Sequence, residues 1–198
     1  MPASTHNQPA RHAIIDSAQG LMARKGYSAV GLNEILERAQ VPKGSFYHYF
    51  ASKEAAGEAV MQNYFTGYLA EMDRIFAEDE LSAAQRLANY LDNFRETQSI
   101  EDCQGRCLAV KLGAEVADLS ESMRLALKTG ISSIIDRLES MVRLGIEDRS
   151  ITTPQPDPRA TAEALYGQWV GASVIAKINR NPASFDTARR ATNQMLGN

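Results

Sequence analysis

Residues 41–50 read VPKGSFYHYF, and the fold turns on these ten positions. Pro42 cannot continue a helix that precedes it, yet its fixed φ suits the first turn of one that follows. A helix over about 42–49 is therefore expected after a turn of only a few residues. Phe46, Tyr49 and Phe50 can anchor it inward, while Lys43, Ser45, Tyr47 and His48 offer hydrogen-bonding groups. So short a helix is unstable alone and has to be braced by neighbours.

The flanking sequence supplies the braces. Residues 32–39 form a second short amphipathic helix with Leu32, Ile35, Leu36 and Ala39 inward and Asn33, Glu34, Glu37 and Arg38 outward. Gly31 opens it in place of a stronger side-chain cap. Upstream, Ile14, Ile15, Ala18, Leu21 and Met22 share one stripe of a helix over 11–25, which Gly26 ends. Two short helices across a tight turn, packed on a longer one, make a helix-turn-helix over about 32–50, a geometry that lets one helix enter the major groove of DNA.

Beyond the head, Ser52 is a good N-cap for a long helix over 53–77. Helical periodicity recurs over about 82–97, 107–117, 120–146, 159–179 and 184–195. The breaks fall at Gly105, at 118–120, across Pro154, Pro156 and Pro158, and at Pro182. No stretch alternates with the period of a strand. An all-α protein of about nine helices is expected, divided into a DNA-binding head over 1–52 and an effector-sensing and dimerisation body over 53–198.

The run Lys43-Gly44-Ser45-Phe46-Tyr47-His48-Tyr49-Phe50, followed by Ser52-Lys53-Glu54, resembles the head of TetR-family repressors in order, spacing and helical context. That resemblance implies that Lys43, Ser45, Tyr47 and His48 approach bases and phosphates, that Gly44 leaves room for the DNA backbone, and that Lys53 meets a phosphate. Residues 106–124, RCLAVKLGAEVADLSESMR, make the likeness narrower. They resemble the subgroup typified by the N-ethylmaleimide-responsive repressor, which answers to electrophiles and oxidants, and related acrylate-responsive regulators.

Charge fits a DNA-binding head. The net charge is −3, but residues 1–55 carry six basic against four acidic side chains, and the remainder 15 against 20. A mildly positive end on an acidic body suits a protein that presents one end to phosphates. No run of 18 or more apolar residues occurs and residues 1–13 lack an apolar signal, so a cytoplasmic protein that does not enter membranes is expected.

Only two cysteines occur, Cys103 and Cys107, too few for a disulfide framework. Cys107 stands near the start of a helix with Arg106 beside it, and both features favour the reactive thiolate. A buried cysteine that merely fills space is the alternative. The resemblance favours sensing, in which electrophiles alkylate or oxidants oxidise Cys107.

Lys177 interrupts an apolar stripe that includes Tyr166, Trp169, Val170 and Val174. It either snorkels to solvent or points inward to stabilise the Cys107 thiolate. Tyr166 and Trp169 either line a ligand pocket or belong to the core. Small residues in the last two helices, Ala162, Gly167, Gly171 and Ala172, allow close helix contact, and the resemblance implies a homodimer built there.

The expected function is thus a repressor of a palindromic double-stranded operator, released by a small-molecule electrophile, oxidant or organic ligand. Reversible, noncovalent induction is the alternative. No cofactor or metal is expected, since two cysteines without nearby histidines are a poor zinc site. His6, His12 and His48 all lie in or before the head and no nucleophile with a base is visible in the body, so neither an enzyme nor a helical interaction module without DNA binding is favoured.

Overall fold

The computed structural model describes residues 8–103, 107–152 and 157–197. Among these the chain forms nine helices and no strand: α1 (Gln8–Lys25), α2 (Leu32–Ala39), α3 (Lys43–Tyr49), α4 (Lys53–Phe76), α5 (Ala83–Cys103), α6 (Leu108–Leu119), α7 (Glu121–Glu147), α8 (Pro158–Asn179) and α9 (Ala183–Leu196). None is long and apolar enough to cross a membrane.

Local chemistry explains most of the boundaries. The Ser52 hydroxyl accepts from the Ala55 amide at 3.1 Å and caps α4. Gly31 precedes α2 with no side-chain cap bond, as its lack of a side chain requires. Asp157 caps α8 by accepting from the Arg159 and Ala160 amides, with Pro158 opening the helix. Pro42 is the N-cap of α3, one position earlier than the sequence suggests, with extended φ and ψ. Helix α5 outruns its expected end near Thr97, because Gln98 is buried and its side-chain oxygen accepts from the Ser173 hydroxyl at 3.1 Å. A polar residue that looks like solvated chain is thereby a buried, satisfied one.

The chain packs as two compact units that do not follow chain order. The first holds α1 to α3, α4 as far as Gly67, α6, and α7 as far as Gly130. Its core contains Ile14, Met22, Ile35, Phe46, Met61, Leu108, Leu112 and Met123, all without solvent access. Helices α4 and α7 touch closely here, since a Cβ on Gly130 would lie 2.2 Å from the Phe65 ring. The second unit holds the rest of α4 and α7 with α5, α8 and α9, around Met72, Leu87, Leu138, Trp169 and Phe185.

Candidate nucleic-acid interface and sensing site

Helix α3 separates its two kinds of side chain cleanly. Phe46 is 0% and Phe50 4% exposed, their rings 5.5 Å apart, and Tyr49 is half-buried beside them. Burying each phenylalanine contributes about 1.5–3 kcal/mol, enough to hold seven residues that would not stay helical alone. Lys43, Gly44, Tyr47 and His48 are exposed and Ser45 is half-exposed. Tyr47 is 54% exposed beside the fully buried Phe46. The residues expected to meet DNA therefore share the outward side of a braced helix, and a Cβ on Gly44 would meet nothing within 4 Å.

Lys53, expected to meet a phosphate, has a partner within its own unit. Its ammonium donates to the Tyr27 carbonyl at 2.8 Å and lies 4.3 Å over the Tyr27 ring. Burial lowers its pKa, against the upward pull of Glu115. Lys53 is thus engaged with the turn that follows α1.

The same turn is gripped from α6. The Glu115 carboxylate accepts from the Tyr27 amide at 3.0 Å and from the Ser28 amide at 2.7 Å. Gly26, at φ +89°, makes the approach possible: a Cβ there would be strained and only 3.0 Å from Glu115 Oε2. Burial pushes the Glu115 carboxyl up, but the bonds from Ser28 and Tyr27 and the charge of Lys53 outweigh it and hold the pKa below 4.5, the ordinary value. At the far end of α6, the buried Ser120 hydroxyl donates to Glu54 at 2.5 Å.

Cys107 occupies the N-cap position of α6, and its side chain is 6% exposed. The Tyr64 hydroxyl on α4 donates to its sulfur at 3.4 Å. Arg106 lies outside the described residues. Cys103 is the last residue of α5. Lys177 is half-buried on α8 and belongs to the second unit, Cys107 to the first.

Trp169 is 2% exposed and well occupied. Its indole N–H donates to Thr192 at 2.9 Å and its ring stacks on Phe185 at 6.0 Å. Tyr166, half-buried, and Trp169 line one hollow with Tyr90, Phe94 and Leu138. Its enclosed space is about 10 Å³, close to the room that one water molecule needs. Among the described residues no three His, Cys, Asp or Glu side chains gather as a metal site would need.

The head of this chain, residues 14–60, matches the model of bacterial regulatory proteins of the tetR family, and residues 83–192 match that of the tetracyclin repressor-like C-terminal domain. The chain belongs to the TetR family. It is similar to the HTH-type transcriptional repressor NemR of Escherichia coli K12, at 36% identity over 175 residues, covering 86% of this chain and 85% of that one. It is also similar to the transcriptional regulator AcuR of Cereibacter sphaeroides, at 32% identity, covering 87% and 78%. The crystal structure of reduced E. coli NemR superposes with a TM-score of 0.88 at 34% identity, covering 93% of this chain and 95% of that one. A TetR-family DNA-binding transcriptional repressor with an N-terminal helix-turn-helix and a helical body is thereby established.

Two residues of this TetR-type site escape a sequence reading. Tyr64 and Glu115 each act on a partner far away in the chain, 43 residues off for Tyr64 and 87 and 88 for Glu115. The only local sign of Tyr64 is a polar-tipped ring next to buried Phe65 and Met61. Glu115 has no local sign at all.

Proposed function

We propose that this repressor holds a palindromic operator as a homodimer and lets go when Cys107 is modified. Lys43, Gly44, Ser45, Tyr47 and His48 form the groove-facing surface, with the two reading helices of the dimer about 34 Å apart on successive major grooves. The dimer is built on α8 and α9. Ile178 is 74% exposed there, next to half-exposed Ile175 and a groove between Gly171, Ala183 and Ala188, an apolar face that a second copy would cover.

The observation that carries the reading is the position of Cys107: it occupies the N-cap position of α6, a helix that packs in the same unit as the DNA-reading head. The partial positive charge at a helix start and the Tyr64 hydroxyl both act in favour of the thiolate, against the desolvation that comes with a side chain 6% exposed. The thiolate adds to the β-carbon of an α,β-unsaturated carbonyl compound. A C–S bond forms, the π electrons move to the carbonyl oxygen as an enolate, and water supplies the proton that restores the carbonyl. The adduct no longer fits a site where the sulfur is almost fully enclosed, so α6 must move.

The same enclosure favours a second reading, in which Cys107 only fills space and a reversible ligand acts on the body. Operator binding by the Cys107→Ser chain separates the two. Loss of the response to N-ethylmaleimide supports modification; a retained response excludes it.

A further inference from the structure

We propose that Glu115 is the positioning residue through which a displacement of α6 reaches the DNA-reading head, an inference that rests on the Cys107 reading above. Helix α6 begins at the proposed sensor. Glu115 lies eight residues beyond Cys107, about 12 Å along a helix that moves as a rod. Its two carboxylate oxygens do not bind a side chain that can swing to follow or lag. They accept from two consecutive backbone amides, Tyr27 and Ser28, in the turn between α1 and α2.

The Tyr27 peptide group is the focus. Its N–H is held by Glu115 from α6, and its carbonyl accepts both the Lys53 ammonium from α4 and the Val30 amide at 3.3 Å. A carboxylate and an ammonium from two long helices thus grip one residue of the head. The turn leads directly into α2, and α2 packs against both α1 and α3. When α6 shifts, the carboxylate either drags the turn or lets it go, and in both cases the orientation of α2 and α3 on DNA changes.

Another polar joint of α6, at its far end, is less suited to the task. Ser120 meets Glu54 in the first turn of α4 through a side chain at each end. That contact fastens α6 to α4 and leaves the α1–α2 turn untouched. The core under α1 and α2, Ile14, Ile15, Met22 and Ile35, is apolar and does not include Glu115.

The test uses the full-length dimer and the duplex that it selects from a random-sequence pool. Operator affinity is measured by fluorescence anisotropy before and after N-ethylmaleimide, with peptide mass mapping to verify the adduct at Cys107. In the unsubstituted chain the adduct should weaken binding about tenfold or more. In Glu115→Ala that ratio should fall to within about twofold of unity while Cys107 is alkylated as fast as before. Glu115→Gln, which keeps one acceptor oxygen and an isosteric shape, should restore part of the ratio, and it carries the test should the alanine chain fail to melt cooperatively. A merely structural role would lower the melting temperature and leave the ratio alone. An undiminished ratio in both variants overturns the proposal. A ratio of one in the unsubstituted chain instead sinks the Cys107 reading, and the inference with it, before any variant is made.

Discussion

The Tyr64 hydroxyl donates a hydrogen bond to Cys107 Sγ across 3.4 Å, joining the helix that leaves the DNA-reading head to the residue at the N-cap position of α6. A hydrogen bond to a charged acceptor is worth about 1.5–3 kcal/mol, roughly twice one between neutral groups. The bond therefore strengthens as the thiol loses its proton. Removing the hydroxyl in Tyr64→Phe should move the pH profile of Cys107 alkylation to higher pH and slow the reaction at neutral pH by about tenfold. An unchanged profile, followed by intact mass against time, would show that Tyr64 does not tune the sulfur.

The outward side of α3 makes a separate prediction. Lys43 is exposed, and its proposed partner is phosphate. Lys43→Ala should weaken operator binding and reduce the slope of log affinity against log salt by about one, with no change in melting temperature. Tyr47→Ala, at a side chain 54% exposed, should likewise cost affinity without stability. Anisotropy titrations over a salt series measure both, and an unaltered slope for Lys43→Ala would remove it from the phosphate contacts.

Glu115 gives the head a dependence on pH whose sign is fixed by its environment. The folded pKa is held below 4.5, so the folded state binds fewer protons there than the unfolded one. Its contribution is fully present above the ordinary carboxylate pKa and is lost as pH falls through the depressed folded value. The melting temperature of the unsubstituted chain should exceed that of Glu115→Gln at pH 6 to 7, and the gap should close on acidification below about pH 4.5. A gap that stayed constant across this window would mean that the carboxylate charge contributes nothing to the clamp.

The apolar face on α8 predicts an assembly. Ile178 is exposed and makes little contribution to its own unit. Ile178→Glu should leave helix content and local packing intact while shifting the sedimentation of the protein from dimer to monomer. A variant that remained a dimer at micromolar concentration would place the interface elsewhere.

How much of this was visible beforehand follows from the range of each interaction. The stripe of Ile14, Ile15, Ala18, Leu21 and Met22 marks α1 because its spacing is a local property, and all five are buried. Ser52 marks the start of α4 for the same reason, since its bond reaches only to Ala55. Helix α5 ran past Thr97 because the partner of Gln98 is Ser173, which no local pattern reveals. The association of α6 with the head lay equally out of sight: Glu115 reads as one more solvated charge until the fold brings the Tyr27 and Ser28 amides to it. Lys53 carries both kinds of information: its place in a familiar motif suggests a phosphate contact, while its bond to the Tyr27 carbonyl, 26 residues away in the chain, has no local sign.

Two quantities followed in one sample, the fraction of Cys107 carrying an N-ethylmaleimide adduct and the fraction of operator DNA released, decide whether the cysteine controls the repressor. Release should rise in step with the adduct, and Cys107→Ser should keep its operator under the same treatment. Full modification of Cys107 with the operator still bound would rule out control by this cysteine.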